Sequence, residues 1–378
     1  MSSNWTRTNL GSIAKFYSGG TPNKQTATYW GGTIPWISAT SLKASRIFNS
    51  DLRITEEGLH AGSRLAKKDD VLLLVRGSAL HQGIPMGIVS RDVAFNQDIK
   101  ALRAQPGIDP NFLFYQLQGR RSDLLGMVEF TGIGAGKLDT NKLQTLPVEL
   151  PDIEEQRRIA AIARSLDDRI DHNRALAANL EAIARRLFKS WFVDFDPVRA
   201  KAVGEKPAGL ADDIAALFPG RFLDSELGEI PDGWACRKVS ELCEAIFSGG
   251  TPHTQTPEYW GGNFPWLSSG ETRSRFIVGT EKTITEAGVE NSSTRRAQAG
   301  DVVIASAGQG STRGQTSLLA IDTFINQSVV ALRAATESYS SALLFLDLSS
   351  RYDEMRAISD SHSSLGFPQF HGHFYQAC

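Results

Sequence analysis

Residues 18–38 read SGGTPNKQTATYWGGTIPWIS, and residues 248–268 read SGGTPHTQTPEYWGGNFPWLS. Self-similarity at a long, fixed period is the mark of a duplicated structural unit. The same offset of 230 residues aligns Ile54-Thr55-Glu56 with Ile284-Thr285-Glu286, Asn96-Gln97 with Asn326-Gln327, and Ala101-Leu102-Arg103 with Ala331-Leu332-Arg333. One domain is therefore present twice, over residues 1–150 and 228–378, with 151–227 as a spacer. Within each copy the apolar runs are short and bounded by Gly, Pro, Ser and Asp, as at Val71 to Val75 and Val302 to Ile304. Such runs read as strands joined by turns, and Asn111 to Leu125 reads as helix, so each copy is expected to be an α+β domain.

Gly19-Gly20 and Gly31-Gly32 are expected at sharp turns that need positive φ. Tyr29, Trp30 and Trp36, with Tyr259, Trp260 and Trp266, have the chemistry to stack on bases. Shared aromatics beside turn glycines are more often core anchors, and that is the reading preferred.

Between the copies, PDIEEQRRIAAIARSLDDRIDHNRALAANLEAIARRLFKSW (151–191) contains no internal Pro or Gly and is rich in Ala, Leu, Arg and Glu, the composition of a long helix. Asp152 is placed to cap it, with Glu154 and Glu155 in the first turn. Heptad spacing joins Ile159, Leu166, Asn173, Leu180 and Leu187, and a second row joins Ile162, Leu176 and Ile183. A helix from Asp152 to Phe195 would be ~65 Å long. Its seam calls for a partner helix, and Trp191 and Phe192 with Phe188 and Phe195 extend the apolar surface. Self-pairing of two copies near Asn173 is one expectation.

The 378 residues carry a formal charge of −2, unevenly spread: +5 over residues 1–150, −3 over 151–230 and −4 over 231–378. Phosphate binding depends on where the cations sit, so the first segment is favoured as a DNA-contacting surface. Cys236, Cys243 and Cys378 form neither a disulfide framework nor a metal pair. His371 and His373 lack the further ligands of a zinc site. No apolar run approaches the ~20 residues of a membrane span, and a cytoplasmic location is expected.

Catalytic motifs are weak. Gly132-x-Gly134-x-Gly136-Lys137 departs from the phosphate-binding spacing and has Leu138 where Ser or Thr would hold magnesium, so it reads as a flexible loop. Asp98-Ile99-Lys100 near Asp92 imitates a nuclease cluster but sits in a strand pattern. Base readout needs amides, guanidinium groups and small polar side chains on loops that reach a groove. Arg76, Ser78, His81, Gln82 and Lys137 in the first copy, and Gln309, Thr312 and Arg313 in the second, have that chemistry where the copies diverge. Lys43, Arg46, Arg273 and Arg275 complete the candidates. A solvated polar loop is the competing reading for each.

SGGTP…YWGG…PW in both repeats, PDIEEQRRI at 151–159, LFKSWFVDFDPVRAKA at 187–202, Leu217-Phe218-Pro219 and SELGEIPDGW at 225–234 together resemble the specificity subunits of type I restriction-modification systems. The resemblance implies two target-recognition domains, each binding half of a bipartite double-stranded DNA site. It also implies a coiled-coil helix that sets their spacing and docks methyltransferase subunits, with a motor-nuclease subunit joining for restriction. It implies no catalysis and no cofactor in this chain: S-adenosylmethionine, ATP and Mg belong to the partner subunits. The rival readings are a methyltransferase or nuclease acting alone, and an assembly protein without DNA readout. One departure stands out. GFPQFHGHFYQAC (366–378) is unlike the matching stretch Thr131 to Leu138, and no second conserved helix follows. The expectation is a truncated or frameshifted chain with an incomplete second domain.

Overall fold

The computed structural model describes residues 5–42, 44–131, 134–225, 228–307, 312–335, 339–360 and 373–376. The chain divides into two compact units, Met1–Leu176 and Ala177–Cys378, and the division falls inside the central helix. The two copies of the repeated domain have the same mixed architecture, and the helix joins them in sequence.

In the first unit a five-stranded sheet runs in the order Ala14–Ser18, Ile99–Ala104, Val71–Leu74, Met86–Val89, Arg46–Ile47. All its pairings are antiparallel except the last, which is parallel. The apolar run Val71–Leu74 lies at its centre with all four side chains buried. A strand covered on both faces has no polar alternation, which explains its sequence. A second sheet, Arg53–Ile54, Trp30–Ile37, Val93–Phe95, Arg64–Ala66, pairs its middle strands in parallel. Helices Pro110–Gly119 and Arg121–Gly126 supply Leu113, Phe114, Leu117 and Leu124 to the same core. They occupy the stretch expected to be helical, split by Arg120.

The second unit repeats both sheets strand for strand. Cys243–Ser248, Val329–Ala334, Val302–Ala305, Thr316–Leu319 and Phe276–Ile277 form the five-stranded sheet; Lys282–Ile284, Trp260–Leu267, Thr323–Ile325 and Arg295–Ala297 form the other. Strand His373–Gln376 pairs antiparallel with Ala235–Lys238, as Pro147–Leu150 pairs with Thr6–Asn9 in the first copy. Residues 361–372, which include His371, lie outside the described residues.

The repeated motif earns its place through two separate constraints. Gly31 and Gly261 have φ of 77° and 78°, a conformation that disfavours a side chain. Gly19 and Gly249 do not. A Cβ on either would overlap a backbone carbonyl, that of Phe95 or Ile325, so the expected positive φ is replaced there by close approach of two backbone segments. Trp36 and Trp266 are buried and donate to the carbonyls of Gly20 and Gly250 at 3.2 and 3.3 Å. Their edge-to-face partners Trp30 and Trp260 stand 5.3 and 5.0 Å away. These rings anchor the loops to the sheet.

The central helix runs over Ile153–Phe192, 40 residues, ~60 Å at 1.5 Å per residue. Asp152 Oδ1 accepts from the Glu155 amide at 2.9 Å, the expected cap. The helix ends earlier than Phe195, because Phe195 takes a left-handed conformation (φ 55°). Its ring is buried with Val198, Phe218 and Trp234, and Trp191 and Phe192 pack around them. That burial offsets the ~1 kcal/mol or more that such a conformation costs.

Candidate nucleic-acid interface

Three strands, Val128–Thr131, Ala135–Leu138 and Arg76–Gly77, form a small sheet on the first unit. Residues 135–138, expected in a flexible loop, are thus its middle strand. The register places Arg76 opposite Lys137 and Gly77 opposite Gly136. Gly77, at φ 136°, turns the chain into the short helix Ser78–His81. Leu80 is fully buried there and pins it to the core. The structure thus gathers Arg76, Ser78, His81, Gln82 and Lys137 into one exposed cluster. His81 Nε2 lies 2.9 Å from the Gly134 carbonyl oxygen, and its ring stacks on Phe130 at 4.4 Å with 21° between planes.

Two cations facing each other across a ladder repel unless an anion intervenes. Glu129 is opposite Lys137, yet its carboxylate is bound to Lys142 at 2.6 Å. Among the described residues no ion pair neutralises Arg76 or Lys137. This is the part of the first copy best suited to a polyanion.

Other candidates lie elsewhere. Arg46 Nη2 is bonded to Asp168 of the central helix at 2.9 Å, and Arg275 Nε to Glu181 of the same helix at 2.9 Å. In each unit an arginine thus ties its domain to its own part of the helix. In sequence these two are only candidates for base contact. The acidic residues that engage them lie more than 90 positions away in sequence, and nothing local announces the pairing. Tyr115 adds to the first fastening: its hydroxyl donates to Asp167 at 3.0 Å, and burial, then that carboxylate, push its pKa up to about 12. Gln156, buried, accepts from the Asp109 amide at 2.9 Å.

In the second copy Arg273 is exposed at the end of the turn Ser269–Arg273, Thr312 is buried and Arg313 is half-buried. Lys43 and Gln309 lie outside the described residues. Asp92 and Asp98 serve separate turns, Asp92 accepting from Lys67 and Asp98 from Asn96. No group of three or more His, Cys, Asp or Glu among the described residues is placed to hold a metal. No helix among them is long and apolar enough to cross a membrane.

The helix seam is open. Ile162, Leu166, Leu176, Leu180, Ile183 and Leu187 are all exposed, at 43–66%. Asn173 is exposed and Ile159 half-buried. The aromatic end is different: Phe188 and Phe195 are buried, and Trp191 and Phe192 are half-buried. Trp191 meets Phe218 at 5.6 Å, and Phe192 stacks on Trp234 at 5.8 Å. The expected docking surface at Trp191 and Phe192 is to this extent already occupied within the chain.

Comparison with known proteins places residues 2–182 and 231–371 in the family described as the type I restriction modification DNA specificity domain. The chain is 33% identical over 160 residues to the specificity subunit of the type I restriction enzyme EcoR124I/EcoR124II of Escherichia coli, covering 42% of this chain and 40% of that protein. It is 25% identical over 264 residues to the MjaIX specificity subunit of Methanocaldococcus jannaschii, covering 66% and 54%. The matches thus span about half or less of these relatives' length. Among solved structures, the S subunit of the type I restriction-modification system of M. genitalium has a similar fold, with TM-score 0.55 and 15% identity over 100% of this chain and 85% of that one.

Proposed function

Because this chain belongs to the type I restriction modification DNA specificity domain family, we propose that it reads DNA sequence for a type I restriction-modification complex and performs no chemistry itself. Each copy of the repeated domain contacts one half of a bipartite double-stranded site. The central helix sets the separation of the halves and offers its seam to methyltransferase subunits. S-adenosylmethionine, ATP and Mg act on those subunits and on the motor-nuclease.

The observation that carries this reading is one scaffold used twice with loops that differ in sequence. The two sheets and the SGGTP loops coincide strand for strand, while the loops after the central strands, 76–83 and 306–314, share little sequence. A common framework with divergent loops suits recognition of two different half-sites, since base contacts specify and framework contacts position.

The test is binding by the chain reconstituted with methyltransferase subunits, across a range of salt. Preference for one bipartite duplex over unrelated DNA by ~10³-fold or more is expected, and the homogeneous chain with S-adenosylmethionine or Mg should neither methylate nor cleave. Methyl transfer by the chain alone would overturn the assignment.

A further inference from the structure

The small sheet on the first unit has two unlike faces. Residues opposite each other in an antiparallel pair point to the same side, so Val128, Phe130 and Leu138 share one face, and Arg76, Glu129 and Lys137 share the other. On the first face Val128 and Leu138 are buried, but Phe130 remains 54% exposed. The root of the ribbon cannot shift to cover it. A Cβ at Gly136 would stand 2.8 Å from Leu80 Cβ and 3.0 Å from Val128 Cγ1, so strand and short helix are already in contact. Phe130 is held instead by the His81 ring, which the Gly134 carbonyl fixes in turn.

A half-exposed aromatic ring is unfavourable in water, and one fixed by stacking is pre-organised for a contact. On the opposite face of the same small sheet stand two cations, Arg76 and Lys137, without an ion pair among the described residues. The B-DNA major groove admits a two-stranded ribbon, and the apolar group it presents is the thymine C5-methyl.

We propose that the ribbon formed by Val128–Thr131 and Ala135–Leu138 enters the major groove, where Phe130, braced by His81, rests on a thymine methyl group of the half-site read by the first copy, with Arg76 and Lys137 on phosphates. This rests on the DNA-reading function proposed above. It adds which residue senses which chemical group.

The experiment uses the full chain reconstituted with methyltransferase subunits and its preferred duplex, in which each thymine of the half-site is replaced in turn by deoxyuridine. At one position the wild-type complex should bind about fourfold more weakly, the equivalent of one methyl group left unburied. The Phe130→Ala complex should be indifferent to the methyl at that position. The double variant Arg76→Gln, Lys137→Gln should lose affinity for specific and unrelated duplexes alike, and its salt dependence should flatten by about two in the log–log slope. A Phe130→Ala complex that keeps the wild-type methyl dependence, or a wild-type complex that selects its site but ignores every thymine methyl, overturns the contact. An unchanged salt slope removes the ribbon from the groove. Failure of the wild-type complex to prefer any duplex would instead strike down the DNA-reading function itself. Phe130 is exposed, and Phe130→Leu, which keeps an apolar side chain, should retain part of the methyl dependence.

Discussion

Asp70 and Asp301 sit at the same place in the two copies, each buried, and each accepts two bonds of 2.8 Å from an arginine, Arg103 or Arg333. Each also caps the turn before its strand by accepting from the backbone amide of Lys67 or Gln298. Such carboxylates are satisfied on every side, and Arg103 and Arg333 were legible in the sequence as repeated positions. Asp347 is the opposite case. It is buried on helix Ser341–Ser350, meets Arg351 at 3.2 Å, and one of its oxygens finds no hydrogen bond. Burial is the main reason its pKa rises from the ordinary 3.8 to about 7, against the pull of Arg351 and with a small push from Glu354. Between pH 4 and 7 the folded chain therefore holds a proton that the unfolded chain has released, and stability falls as pH rises through that window. Asp347→Asn should remove this dependence. It should stabilise the second unit at pH 8 by on the order of 4 kcal/mol and by little at pH 4. Thermal unfolding or hydrogen exchange at the two pH values checks it, and equal shifts at both would rule out the proton as the cause. Nothing local marked Asp347, because its burial is decided by which helix face meets the sheet.

Elements were more legible than residues where a period was at work. The continuous apolar strands, the capped helix and its heptad rows all follow from spacing, and the structure has them. What spacing could not supply was the destination of the aromatic residues at the helix end. Trp191, Phe192 and Phe195 look like a surface awaiting a partner, yet Phe218, Phe222 and Trp234 from the segment that follows close over them, while Phe188 packs on Phe192. This gives a physical reason for the run LFKSWFVDFDP, the LFP triplet and the GW pair occurring together. The seam remains without cover among the described residues. Replacing Leu180 and Leu187 by Asp should therefore leave thermal stability within about 0.5 kcal/mol, as for other exposed positions, and abolish co-purification with methyltransferase subunits. Unimpaired co-purification would take the seam out of the interface. A large loss of stability would mean that the chain itself already covers these positions.

At the scale of the whole molecule the duplication was legible from one quoted motif, but the distribution of function between the copies was not. The +5 charge of residues 1–150 against −4 for 231–378 suggested that the first copy carries the binding. Charge counts do not show which cations are already spent: Arg46 and Arg275 are tied to the helix, while Arg76 and Lys137 remain available and Arg273 stays exposed. The second copy also keeps both sheets and its own divergent loop. Phosphate attraction and base discrimination are separable, so a weakly charged copy can still discriminate bases when the other supplies much of the non-specific attraction. The methylome of cells expressing this chain with its methyltransferase should then contain an asymmetric bipartite site, its two halves unrelated in sequence and separated by a fixed spacer. Exchanging residues 76–83 for a different loop should change one half and leave the other half and the spacer intact. An inverted repeat would show instead that two chains pair through their central helices near Asn173, whose exposed amides could meet across a two-fold axis. The first copies alone would then do the reading.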